Sequence, residues 1–292
     1  MQSLSYHAPD TIDAAADLLV EHSEARVLAG GTDLLVQMKT GVRSPRAIID
    51  VKRIPALMEV HLADDGLRIG AAAPAQSITE RPEIAALFPG LVESIDLIGS
   101  TQIQGRGSVG GNLCNASPAA DTVPALIACG AVCRVVGPAG ERTVPVEAFN
   151  EGPGSNCLAP GELLVSLLIP APPARSADAY QRLIPRTEMD IAVVGVGVSL
   201  TLDEQGVCSD ARVAIGAVAP KALLVPDAAA ALVGSKLEAE ALDAAGAAAT
   251  AASRPITDKR GTEAYRRRVV AVLTRRTAIV ARDRALARGG AQ

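Results

Sequence analysis

The stretch Val27–Gly41, VLAGGTDLLVQMKTG, runs as an apolar strand into two adjacent glycines and leaves them as a helix. Thr32 and Asp33 stand at the junction, where short oxygen-bearing side chains favour a helix start. A tight connecting turn satisfies this pattern. So does a bare backbone surface for an anionic ligand, because glycine carries no Cβ and lets N–H groups approach phosphate oxygens. On either side, ARVLA and AIIDV read as strands, so a strand–helix–strand unit closes near Lys52.

A second glycine-rich segment, GRGSVGGNLCNASPAAD (Gly105–Asp121), carries the pair Gly110-Gly111 between Ser108 and Asn112. Neither loop contains a lysine, and no G-x-G-x-x-G follows a strand, which excludes a Walker-type phosphate loop and the dinucleotide fingerprint. The lone G-x-G of VVGVGV (Val193–Val198) lies in a β-rich run and reads as strand packing. Two loops of glycine and small polar residues are compatible with a phosphate-bearing cofactor held by main-chain amides.

Bulk properties narrow the classes. The 292 residues suffice for two domains or one large one. Hydrophobic residues make up 49% of the chain but aromatics only 2%, so alanine, valine and leucine must build the core. A net charge of −4 with scattered signs argues against nucleic acid as a partner. No apolar run approaches the roughly 18 residues of a spanning helix, and the N-terminus lacks a basic region followed by an apolar one. A soluble, cytoplasmic protein is expected. The 5 cysteines include no C-x-x-C pair and the 3 histidines are scattered, so no disulfide framework, metal site or iron–sulfur cluster is indicated.

Along the chain, DTIDAAADLLVEHS, SITERPEIAALF, GLVESIDLIG and DTVPALIACGA read as helices, and GLRIGAAA, AVCRVVG and ELLVSLLIP as strands. PAPPARSADA is the linker candidate, with three prolines in a short window. Beyond it, IAVVGVGVSLTLDEQGVCSDARVAIGAVA reads as a hairpin of two long strands around a DEQG turn. The remainder is alanine-rich helix ending in GTEAYRRRVVAVLTRRTAIVARDRALA, whose arginines at helical spacing describe a solvated face.

LAGGTDLLVQMK together with QIQGRGSVGGNLCNASPAADTVPALIA resembles the FAD-binding medium subunit of the molybdenum hydroxylases, the family of xanthine dehydrogenase and aerobic carbon monoxide dehydrogenase. The likeness continues through PRTEMDIAVVGVGVSL to ITDKRGTEAYRRRVVAVLTRR, nearly the whole chain in order. It implies an α+β fold: a two-lobed FAD-binding domain of the vanillyl-alcohol-oxidase (PCMH) type at 1–175, with lobes about 1–55 and 56–175. A smaller C-terminal α+β domain with an antiparallel sheet follows at 176–292.

The resemblance also implies a site. Ala29, Gly30, Gly31, Thr32, Asp33 and Leu34 match the segment that wraps the FAD pyrophosphate. Ser108, Val109, Gly110, Gly111 and Asn112 match the second loop. Asp121 matches an acid that hydrogen-bonds the cofactor, Leu164 an apolar residue near the flavin, and Arg182 a position usually held by lysine beside the isoalloxazine. Each has a plainer alternative: a first-turn acid for Asp33, a helix cap for Asp121, core for Leu164, and a surface strand residue for Arg182. No catalytic or metal-binding residue is expected in this chain. Its implied partners are a large subunit with the molybdenum cofactor and a small [2Fe-2S] subunit, paired as a dimer of heterotrimers, with NAD, a quinone or oxygen as acceptor. A stand-alone FAD-dependent oxidoreductase with its own substrate pocket is the alternative. The scarcity of histidine and aromatic residues offers such a pocket little chemistry.

Overall fold

A computed structural model describes residues 4–187 and 189–289; Glu188, inside the PRTEMDIA stretch, lies outside the described residues, as do both chain ends. Four sheets and the helices packed on them form an α+β architecture. The first sheet has three parallel strands in the order Ser5–His7, Ala47–Asp50, Ala25–Leu28. Its central strand, Ala47–Asp50, is buried throughout, as expected of a parallel strand covered on both faces. Register sets Leu28 beside Asp50, so the glycine turn after Leu28 emerges next to the end of the central strand.

The second sheet is antiparallel and five-stranded: Val60–Ala63, Gly66–Gly70, Leu163–Pro170, Val132–Gly137, Gly140–Pro145. Its long strand Leu163–Pro170 serves two cores. Leu163 and Val165 pack with Ile49, Val51, Ile54 and Leu57 of the first lobe, whereas Leu164, Leu167 and Ile169 face the second lobe's core. A register shift between Leu164 and Ser166 interrupts the strand's simple alternation, and this one strand contributes to both cores.

The third sheet runs Ser176–Leu183, Val194–Leu202, Cys208–Gly216, Leu223–Leu224, all antiparallel. The hairpin read from the sequence is present, turning at Gly206 with φ +77°. One face of the sheet is covered by the helices Glu263–Gly289 and Pro226–Leu232, and the alanine-rich helix Ala239–Ala252 packs on these two helices. The other receives the fully buried helix Thr122–Ala128. The G-x-G explains that contact. A Cβ on Gly197 would lie 2.5 Å from the Pro124 carbonyl oxygen, and one on Gly195 would lie 2.6 Å from the Tyr180 hydroxyl.

Three sequence expectations change. SITERPEIAALF is not one helix: Gln76–Thr79 ends before Arg81, and Pro82 begins a second helix, Pro82–Leu87, because proline disfavours helical geometry in the residue before it. The linker is shorter than PAPPARSADA, since Ser176–Ala179 is already buried strand. The arginine-rich terminal helix is not simply solvated. Arg266 is only 3% exposed and donates to the Val193 and Ala217 carbonyls and to Asp258, while Arg284 binds Glu93 and the Asp178 carbonyl. The short strands Ser5–His7, Val60–Ala63 and Gly140–Pro145 also escaped the sequence reading.

Gly197→Ala is expected to cost about 1–3 kcal/mol by overpacking against the Pro124 backbone. Gly152→Ala, with open space at its Cβ, should stay within about 0.5 kcal/mol of the parent. Denaturant titration of the two variants reads the difference.

Candidate functional site

The turn after Leu28 is built to be bare. Gly31 has φ +77°, a left-handed conformation that a side chain would strain. Gly30 is held against the second loop so closely that a Cβ there would sit 1.8 Å from the Arg106 carbonyl oxygen and 3.0 Å from the Gly107 nitrogen. The two glycine loops, far apart in sequence, therefore meet backbone to backbone. Among the described residues, no hydrogen bond is donated by the backbone N–H groups of Gly30, Gly31, Thr32 or Asp33. Four successive backbone donors are thus left without a protein partner, the kind of group an anion can satisfy.

Both loops line one cavity of about 810 Å³, within the size range of cofactor sites. Ala29, Gly30, Gly31, Thr32, Asp33 and Leu34 line it from the first loop and Ser108, Gly110, Gly111 and Asn112 from the second, and Leu57, Leu163 and Leu164 also line it. Val109 points instead into the core. Ser108 caps the helix Val109–Cys114 by accepting from the Gly111 N–H at 3.0 Å. Asn112 accepts from the Thr122 hydroxyl at 2.7 Å, tying the second loop to the buried helix Thr122–Ala128. A Cβ at Gly110 would meet the Ala71 backbone at 2.4–2.6 Å, so that glycine serves the packing of the loop.

Asp33 occupies the position before the helix Leu34–Lys39, yet its carboxylate accepts no bond from that helix, leaving it available at the cavity wall. Asp121 likewise precedes Thr122–Ala128 without capping it. It accepts instead from the Tyr180 hydroxyl at 2.8 Å and from Arg182 at 2.6 Å. Arg182 is not on the surface: its side chain is 5% exposed. Asp178, Tyr180 and Arg182 alternate along Ser176–Leu183 and all engage the preceding half of the chain. Neither Asp121 nor Arg182 is part of the cavity wall. They form a buried ion pair behind the second loop, and Arg182 Nε is buried without a partner. Burial pushes the Asp121 carboxyl up to about 6, against the opposing pull of Arg182 and Tyr180.

Two cations escaped the sequence reading. Arg26 and Arg43 line the same cavity and, among the described residues, neither forms an ion pair or a side-chain hydrogen bond within the protein. Burial and the neighbouring Arg43 charge lower the pKa of Arg26, the signature of positive charges gathered without their counter-ion. Arg26 sits one residue before VLAGG, in a strand whose alternation gave no sign that a basic side chain would turn into the cavity.

Comparison with known proteins places this geometry. Residues 2–172 match the model described as FAD binding domain in molybdopterin dehydrogenase, and residues 179–280 match the CO dehydrogenase flavoprotein C-terminal domain. The chain belongs to the FAD-binding subunits of the molybdenum hydroxylases. It is 35% identical over 285 residues to the carbon monoxide dehydrogenase medium chain of Afipia carboxidovorans, covering 97% of this chain and 98% of the relative. With the putative xanthine dehydrogenase FAD-binding subunit of Escherichia coli it shares 30% identity over 274 residues, 93% of this chain and 94% of the other. The solved structure of reconstituted CO dehydrogenase from Oligotropha carboxidovorans matches with a TM-score of 0.93 at 34% identity, over 97% of this chain and 98% of that one. This molybdenum hydroxylase FAD subunit is thus an oxidoreductase component of two-lobed PCMH-type fold with an antiparallel C-terminal sheet. Among the described residues no helix is long and apolar enough to cross a membrane.

The raised Asp121 pKa has a signed consequence. Between the ordinary value of 3.8 and about 6, the folded chain holds a proton that the unfolded chain has released. The stability contribution of this carboxyl therefore falls as pH rises through that window and is flat above it. Asp121→Asn should remove this slope, as read from thermal melts of parent and variant at pH 4.5 and pH 7.

Proposed function

We propose that this chain is the electron outlet of a three-component molybdenum hydroxylase, with FAD passing electrons from [2Fe-2S] clusters on a small partner subunit to an external acceptor such as NAD, a quinone or oxygen. The molybdenum cofactor would reside on a large subunit, and the complex would pair as a dimer of heterotrimers. The observation that carries the reading is the set of four unpaired N–H groups on Gly30–Asp33, beside two arginines without counter-ions, in one cavity. A dinucleotide diphosphate supplies the missing acceptors and negative charge.

The division of labour follows from the residues. Gly30 and Gly31 present amides, and Thr32 and Ser108 add hydroxyls at the cavity wall. Arg26 and Arg43 supply the positive potential that the loops lack. Asp33, free of any cap duty, suits ribose hydroxyls better than phosphate, since like charges repel. Leu164 and its neighbours provide an apolar floor for a flat ring system. Asp121 and Arg182, locked together outside the cavity wall, form a nearly neutral buried pair that ties the third sheet to the helix Thr122–Ala128 and makes no direct contact with a ligand in the cavity. We assign the FAD-binding unit to residues 1–175, with lobes about 1–55 and 56–175, and the C-terminal unit to 176–292. Support comes from the two matched segments and from the strand that starts at Ser176.

Arg26→Met and Arg43→Met should each weaken FAD binding about tenfold or more, the value of a hydrogen bond to a charged group. Unchanged dissociation constants in both variants, measured by flavin fluorescence, would refute the cavity assignment. Purification of the native complex should yield molybdenum- and iron-containing chains with this one, whereas turnover of an organic substrate by the lone chain would favour a self-sufficient oxidoreductase.

A further inference from the structure

Behind the first glycine loop, on the side away from the cavity, lies a polar relay that cofactor binding alone does not explain. The Lys52 ammonium donates to the Ala29 carbonyl at 2.9 Å and to Asp50 Oδ1 at 2.7 Å. Asp50 also accepts from the Lys52 backbone N–H at 3.0 Å and, on its other oxygen, from the Tyr6 hydroxyl at 2.6 Å. Burial opposes the charged form of Asp50, but the bonds from Lys52 and Tyr6 outweigh it and hold the carboxyl below the usual carboxylate range. Asp50 is 8% exposed at the end of the central parallel strand, beside Leu28. Lys52 does not line the cavity, whereas Ala29 does.

Peptide planarity turns this contact into a constraint. The Ala29 carbonyl and the Gly30 N–H belong to one trans peptide and point in opposite directions. A carbonyl drawn toward Lys52 therefore aims the Gly30 N–H the other way. Without that anchor, the glycines leave the peptide free to rotate and to present an oxygen where an anion must sit. An ammonium is suited to the task, with three donors on a stem that Asp50 immobilises.

We infer that Lys52, braced by Asp50 and Tyr6, is a positioning residue that orients the Ala29–Gly30 peptide so that the first loop presents an amide to the cofactor diphosphate. This rests on the reading of that loop as the diphosphate cradle, and it predicts a defect confined to ligands that carry the diphosphate.

The full-length chain, stripped of flavin, would be titrated with FAD, ADP and riboflavin. Lys52→Met should weaken FAD and ADP by the same factor, about tenfold, and leave riboflavin binding unmoved, while the flavin-free chain melts lower because buried Asp50 loses its cation. Lys52→Arg, which keeps a donor of the same charge, should restore most of the affinity. Tyr6 is 60% exposed, so Tyr6→Phe removes only the brace; a two- to threefold loss of about the size of one weak hydrogen bond is expected. This variant carries the test should Lys52→Met fail to fold. Undiminished FAD and ADP affinity in Lys52→Met or, if that variant does not fold, in Tyr6→Phe overturns the inference. An equal loss for riboflavin also overturns it, reducing Lys52 to a scaffold residue. A parent chain that binds riboflavin but gains nothing from the diphosphate would instead overturn the loop reading itself, whatever stands at position 52.

Discussion

The structure turns on a contact with no side chains in it: Gly30 laid against the carbonyl of Arg106. One turn leaves a parallel sheet and the other follows a short helical segment of the second lobe, and they touch as bare backbone. Any Cβ at position 30 would separate them. Because they touch, their flanking residues enclose a single cavity in place of two shallow turns. The lobes on either side are joined by the strand Leu163–Pro170, which contributes Leu163 and Val165 to one core and Leu164, Leu167 and Ile169 to the other. The cavity is therefore a consequence of how the two lobes are held.

Electrostatics around the cavity are arranged in layers. Arg26 and Arg43, which form no ion pair among the described residues, line the same cavity as the unpaired amides of Gly30–Asp33. The charged pairs Lys52–Asp50 and Arg182–Asp121 lie outside the wall, each with a tyrosine hydroxyl on its carboxylate. Paired charges there orient groups without adding a net field, while the unpaired charges are kept for a ligand. The third sheet contributes to this arrangement from a distance, since Asp178, Tyr180 and Arg182 all reach across to the FAD-binding half.

Much of the fold was legible because local rules and tertiary context agreed. The strand–helix–strand unit, the DEQG hairpin and the buried strand ELLVSLLIP all carry patterns that packing reinforced. Failures came where long-range packing overrode the local pattern. Ser176–Ala179, small and polar after three prolines, looks like linker but is buried by the terminal helix and by the helix Pro89–Asp96. Arg266 looks solvated because helical spacing cannot reveal that two orphan carbonyls, of Val193 and Ala217, await it. Pro82 was the one break that a stricter local reading would have caught.

The sequence alone determined which stretches of backbone are bare. Gly30-Gly31 and Gly110-Gly111 are chemical facts about missing side chains, and with their flanking motifs they sufficed to suggest a flavoprotein family. Only the tertiary structure decided that the two stretches meet. It also brought Arg26 and Arg43 to the same wall, sent Arg182 to Asp121, and set Lys52 behind the loop. Proximity between residues distant along the chain depends on sheet register and on how helices fill the space between sheets, and neither is encoded in any window short enough to be read locally.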